Sequence, residues 1–162
     1  DTVSWLLRDL LFEIREAGRI GQLRALYDAL PQIDRADLDG TVEVEEGTVT
    51  FDVVCRDRLG EPLVCLNLHN SRDPATSEEL AALLEASGAV ATAYDGFAGA
   101  FLVTSSFFES EALELVNERT ESGGLLSRSK RASFVQETRK RGYHLTLVEA
   151  RDRRFHVTVP QL

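Results

Sequence analysis

The feature that most constrains this chain is a change of hydrophobic period near its middle. From Thr41 to Glu45, and again from Thr48 to Arg56, apolar and polar residues alternate, the pattern of a strand with one face buried. Read by alternation, Val49, Phe51 and Val53 share one face and Thr50, Asp52 and Val54 the other. Glu46-Gly47 and Arg58-Leu59-Gly60-Glu61 supply turns between these segments. From Pro62 to Leu68 the alternation gives way to a nearly continuous apolar run, which predicts a central strand buried on both faces. The three segments form an antiparallel meander, and its last strand needs cover on both sides.

The flanking segments can provide that cover. Trp5, Leu6, Leu10, Ile14 and Ala17 follow helical spacing, with Leu7 and Leu11 widening the stripe, and a second short helix is expected from about Ile20 to Leu30, ending at Pro31. This N-terminal stripe suits core, a homodimer or other protein surface, or the end of an upstream coiled coil. After the meander, Thr76 or Ser77 can cap a helix with Glu78 or Glu79 in its first turn and Gly88 as its stop. A buried strand is expected within Ala98–Phe108, then a helix over Glu111–Arg119, capped by Ser106 or Ser110. Beyond Gly123-Gly124, Ser127–Arg141 reads as a basic helix, and Tyr143–Val148 and Phe155–Val159 as closing strands. Strand-helix-strand-helix after a meander predicts an α/β fold with a mixed central sheet and helices on both faces.

A length of 162 residues suits one domain. We expect residues 1–30 to form N-terminal helices, 41–120 the core, and 125–162 the basic helix and closing strands. The absence of an initiator methionine leads us to expect a piece of a longer protein. No apolar run approaches the roughly 20 residues that span a bilayer, and no signal peptide is visible, so a soluble cytoplasmic protein away from membranes is expected. Cys55 and Cys65 lie ten residues apart across a hairpin. They can face each other, but a reduced, buried pair fits a cytosolic protein better.

Charge is unevenly placed. Residues 1–127 carry 9 basic and 24 acidic side chains, whereas residues 128–154 carry 9 basic and 3 acidic ones. Only two of the basic residues, Lys130 and Lys140, are lysines. An acid-rich, lysine-poor surface is typical of proteins that work in high salt, so a halophilic source is expected. The cluster Arg128, Lys130, Arg131, Arg139, Lys140 and Arg141 is a candidate nucleic-acid surface. Equally, it can fold against the acidic remainder.

Walker, Rossmann and Gly-x-Ser-x-Gly signatures are absent, and His69, His144 and His156 do not fall at metal-ligand spacing. One constellation remains. Asp52 sits mid-strand among apolar neighbours, where a charge is costly unless solvated, paired or metal-bound. Asn67 and His69, two residues apart, point to one side of the next strand. Hairpin pairing can bring all three together. His69 can then serve as a general base oriented by Asp52, or the three can be ordinary satisfied polar groups.

Phe51-Asp52-Val53-Val54, the hairpin and Leu63–His69 resemble the PD-(D/E)XK nucleases, and within them the Mrr-type restriction endonucleases. Pro74-Ala75-Thr76 with its helix, Gly99–Phe107 and Glu111-Ala112 extend the likeness. The resemblance implies a restriction endonuclease-like three-layer α/β/α fold. It places Asp52 on the metal-binding aspartate, Asn67 on the second acidic position and His69 on the lysine, with Glu13 or Glu16 a loose match to a helix glutamate. In the family, two acidic groups hold Mg²⁺ and the ion and lysine activate water. Here Asn67 removes one charge from the cage, and His69 is expected to be largely neutral unless a neighbour raises its pKa. The expected function is a non-catalytic nuclease-fold binding module without a cofactor, for nucleic acid or protein. The alternative is a Mg²⁺-dependent DNA endonuclease, with Asp52 as metal ligand.

Overall fold

The computed structural model describes residues 2–18, 20, 21, 23–120, 143–151 and 154–158. Helices α1 (Thr2–Arg8), α2 (Leu10–Glu16) and α3 (Arg24–Ala29) come first. Backbone hydrogen bonds from Asp9 N–H to Trp5 O and from Glu13 N–H to Asp9 O carry the helical ladder across the α1–α2 junction. The second expected helix is shorter than its apolar spacing suggests. Pro31 lies inside a single 3₁₀ turn, Leu30–Gln32, where a residue lacking an N–H is tolerated.

Strands β1 (Arg35–Val44), β2 (Gly47–Arg56) and β3 (Pro62–His69) make the antiparallel meander. β1 begins at Arg35, six residues before Thr41, because polar Arg35, Asp37 and Asp39 hide it from a hydrophobicity pattern. Helix α4 (Ser77–Ala93) leads to β4 (Gly99–Thr104), and α5 (Ser110–Thr120) follows. Strands β5 (His144–Arg151) and β6 (Arg154–Thr158) close the fold. All six strands form one sheet in chain order. The β3–β4 and β4–β5 pairs are parallel and the β5–β6 pair antiparallel, so the sheet is mixed.

The sheet is covered on both faces. Cys65, Ala100, Leu102, Leu145 and Leu147 meet Leu80, Leu83 and Val90 of α4 and Ala112 of α5. On the other face, Val64, Leu66, Phe101, Val103 and Val148 meet Trp5, Leu6, Leu10, Ile14 and Leu26 of the first three helices. The N-terminal stripe therefore serves as core. Leu7 and Phe12 remain exposed on its outer side. Among the described residues, no helix is long and apolar enough to cross a membrane.

Two local findings correct the pattern. Gly88 does not stop α4, which runs on to Ala93 with Gly88 among its buried residues. Ser110 is the first helical residue of α5, and the Ser106 hydroxyl is used elsewhere. A further correction concerns faces. Phe51 and Val49 pack in the α4-side cluster with Val54, while Val53 packs on the opposite face. The cause is a sharp bend in the β1–β2 hairpin. Asp39 takes φ +48°, and Gly40 lies so close to β2 that a Cβ there would sit 2.6 Å from Val54 Cγ2. The bend turns the outer part of the hairpin over α4, where Tyr94 Oη donates to Glu43 O at 3.0 Å.

Cys55 pairs in register with Val64 and Cys65 with Val54, which puts the two thiols on opposite faces. They are free and buried, and cannot face each other. Burial, with the Asp37 carboxylate assisting, pushes the Cys55 thiol up to about 12. Burial also raises Cys65. Neither is a thiolate nucleophile at neutral pH.

Candidate functional site

The β2–β3 ladder ends at Val53↔Leu66. Past that point side chains replace the backbone ladder. Asp52 N–H donates to Asn67 Oδ1 at 3.3 Å, and Leu68 N–H donates to Asp52 Oδ2 at 2.6 Å. Asp52 and Asn67 thus meet, as the hairpin register leads one to expect, but each is spent on the other strand's backbone. Together they clasp the fork where β2 leaves the sheet.

His69, at the end of β3, is turned to different partners. Its Nδ1 lies 2.7 Å from Glu79 Oε1 on the first turn of α4, and its Nε2 lies 2.9 Å from Asp73 O. A carbonyl can only accept, so Nε2 carries a proton. Glu79 is held ionised: burial alone would raise its carboxyl, but hydrogen bonds from Thr76 N–H and His69 outweigh burial and lower it. Nδ1 therefore donates as well. The charged imidazolium is the form that makes both bonds, and the pKa of His69 is raised first by the bond to Asp73 O and next by Glu79. From sequence His69 is expected to be largely neutral unless a neighbour raises its pKa, and Asp73 O and Glu79 are such neighbours. The expected pairing with Asp52 is corrected: the two ring nitrogens face Glu79 and Asp73 O, so Asp52 does not orient the ring.

The sequence places these partners through ordinary local rules. Thr76 and Glu79 form a capping box, with Glu79 N–H on Thr76 Oγ1 at 3.3 Å and Thr76 N–H on Glu79 Oε2 at 2.8 Å. Glu79 Oε2 caps the helix and Oε1 is left for His69. Asp73 O also accepts from Ser106 Oγ at 2.7 Å, and Ser106 Oγ lies 2.9 Å from Thr104 Oγ1. His69 and Thr104 are register partners on parallel strands, as are Thr104 and Glu149. A polar row thus runs along the carboxyl ends of β3, β4 and β5, where open α/β sheets commonly bind ligands. The Thr76-x-x-Glu79 spacing was the readable signal for Glu79; its reach to His69 had none, because the connecting loop's path is not encoded in spacing.

Glu13 does not join this group. It accepts from Trp5 Nε1 at 2.9 Å, and Glu16 is exposed at the end of α2. Among the described residues, no three His, Cys, Asp or Glu side chains are placed to hold a metal ion together. At the three motif positions, the acceptor oxygen left without a hydrogen bond among the described residues is Asp52 Oδ1. A single spare carboxylate oxygen does not fit a magnesium ion, which needs several oxygen ligands. His144, on β5, is held below its ordinary value by burial. Arg128, Lys130, Arg131, Arg139, Lys140 and Arg141 lie outside the described residues.

Comparison with curated proteins finds no match. Among solved structures, the chain is similar to a protein of unknown function, AF1548, at 19% identity over 67% of this chain and 54% of that one, with a TM-score of 0.40. It is also similar to SfsA of Pyrococcus furiosus, solved in complex with Ca²⁺, at 13% identity over 83% of this chain and 57% of that one, with a TM-score of 0.28. The chain thus spans little more than half the length of either structure. The family described as a domain of unknown function (DUF7527) matches across residues 1–162, and the chain belongs to that family.

Proposed function

We propose that this protein is a binding module on a restriction endonuclease-like, three-layer α/β/α scaffold of the PD-(D/E)XK, Mrr-type kind, and that it does not cut nucleic acid. One observation carries the reading: all three motif side chains are engaged within the fold, and His69 is bonded through both ring nitrogens. A phosphodiesterase of this class needs paired acidic ligands and a group that positions water. Asp52 and Asn67 hold a strand fork, and His69 holds the loop before α4.

The partner class follows from charge. Residues 1–127 carry 15 more acidic than basic side chains, which favours a basic protein partner over a phosphate backbone. Binding of nucleic acid would depend on the cluster from Arg128 to Arg141, and Arg139→Ala/Lys140→Ala/Arg141→Ala tests it. An unchanged mobility shift in that triple variant removes the cluster from the binding surface.

Cleavage is tested with supercoiled plasmid and Mg²⁺ or Mn²⁺ at low and high salt, beside Asp52→Ala. The plasmid is expected to stay intact with both proteins. Cleavage by the parent that disappears in Asp52→Ala would establish a metal-dependent endonuclease with a variant site and overturn the binding-only reading.

A further inference from the structure

Besides the outer edges of β1 and β6, the hairpin leaves part of β2 without a strand neighbour on one side among the described residues. β2 pairs with β3 only from Val53 to Arg56, yet β2 begins at Gly47. From Gly47 to Phe51 it is paired with β1 alone among the described residues. Thr48, Thr50 and Asp52 are exposed along this stretch, while Val49 and Phe51 pack toward α4 and hold the arm in place. The other strand of the arm is differently dressed. The carbonyls of Thr41 and Glu43 on β1 already accept from Arg56 Nη2 and Tyr94 Oη, and Asp39 breaks the regular β geometry. An unpaired strand edge held rigid by its other face is a template for a further strand.

We propose that the β2 edge from Gly47 to Phe51 takes an extended, basic peptide segment of a protein partner as an added strand. Main-chain pairing supplies the affinity in this mode, and alternate side chains supply the selectivity. Charge identifies the occupant. Between Ala36 and Cys55 the chain carries Asp37, Asp39, Glu43, Glu45, Glu46 and Asp52 and no Lys or Arg. Glu45 and Glu46 form the exposed tip of the arm, and Asp52 stands at its base. A Lys- or Arg-bearing strand laid along the edge has acidic groups at both ends. A second copy of this edge would bring acid to acid. The inference rests on the binding-module reading and names its partner.

The test uses the full chain and a synthetic peptide of about ten residues alternating Val or Thr with Lys. Backbone amide shifts and calorimetry are read with this peptide, with its Glu-for-Lys counterpart, and with Lys peptides N-methylated at alternate nitrogens in each of the two registers. The Lys peptide is expected to bind, with shifts concentrated at Thr48–Asp52. One N-methylated register should weaken it roughly tenfold or more, because the pairing N–H groups are lost. Glu45→Lys/Glu46→Lys, at an exposed turn, should weaken it while leaving the thermal midpoint in place. The Glu peptide should not bind. Equal binding of both N-methylated peptides would reduce the contact to charge attraction and overturn the strand pairing. Shifts centred elsewhere, or self-association of the protein abolished by the tip variant, would overturn the assigned occupant. A plasmid left intact together with a Lys peptide that fails to bind sinks only the edge assignment; plasmid cleavage sinks the module reading itself.

Discussion

Asp52 and Asn67 hold each other's strands: Asp52 N–H donates to Asn67 Oδ1, and the Asp52 carboxylate accepts from Leu68 N–H, one residue beyond Asn67. The pair stands where β2 and β3 part, so a polar constellation that resembles a metal site is used to end a ladder. Removing the carboxylate should therefore act on stability. Asp52→Ala leaves Leu68 N–H without its acceptor and should cost about 0.5–1.5 kcal/mol, at the lower end because water reaches the fork. Asp52→Asn keeps an acceptor oxygen and should cost less. Urea unfolding of the three proteins checks the order.

Restoring the missing charge should change the metal chemistry. Asn67→Asp keeps an oxygen for Asp52 N–H but places two carboxylates together, which favours a divalent cation and disfavours the metal-free fold. Thermal unfolding in millimolar Mg²⁺ should show a raised midpoint for Asn67→Asp and none for the parent. An equal shift in both would mean that the parent site already holds the ion.

The clasp at His69 makes stability depend on pH in a stated direction. A raised folded pKa means stabilisation that is complete below the ordinary value of 6.5 and lost as pH rises through the folded value. Glu79 works the other way: its lowered pKa gives stabilisation present above its ordinary 4.5 and lost as pH falls through the folded value. Half-buried His144, whose pKa is lowered by desolvation, opposes folding as pH falls below 6.5. The difference in thermal midpoint between the parent and His69→Gln should be largest between about 4.5 and 6.5 and should shrink above. Because His144 is common to both proteins, it cancels from that difference. A difference that grows above pH 7 would contradict the clasp.

The hairpin bend has its own test. Gly40→Ala drives a methyl into Val54 at 2.6 Å from Cγ2 and 2.8 Å from Cβ. It should cost about 1–3 kcal/mol unless the bend relaxes. Gly21→Ala, where a Cβ meets nothing within 4 Å, is the control and should be near neutral.

Much of the frame was legible in residue order. The alternation from Thr48 and the apolar run to Leu68 specify the meander and its central strand, because burial on one or two faces leaves different patterns. The buried N-terminal stripe and the Thr76 cap were legible for similar local reasons. What escaped was long-range. Phe51 changes faces because Gly40 approaches Val54, a contact between strands that no single-strand alternation encodes. The meeting of Asp52 with Asn67 was foreseeable from hairpin register. The partnership of His69 with Glu79 was not, since it depends on how seven intervening residues return α4 to the end of β3.

The most direct measurement is the ¹⁵N spectrum of the His69 ring near neutral pH, assigned by comparison with His69→Gln. Both ring nitrogens should be protonated, with the proton retained above the ordinary histidine range. A neutral ring with one unprotonated nitrogen would return a free lone pair to the site and contradict the claim that these groups are spent within the fold.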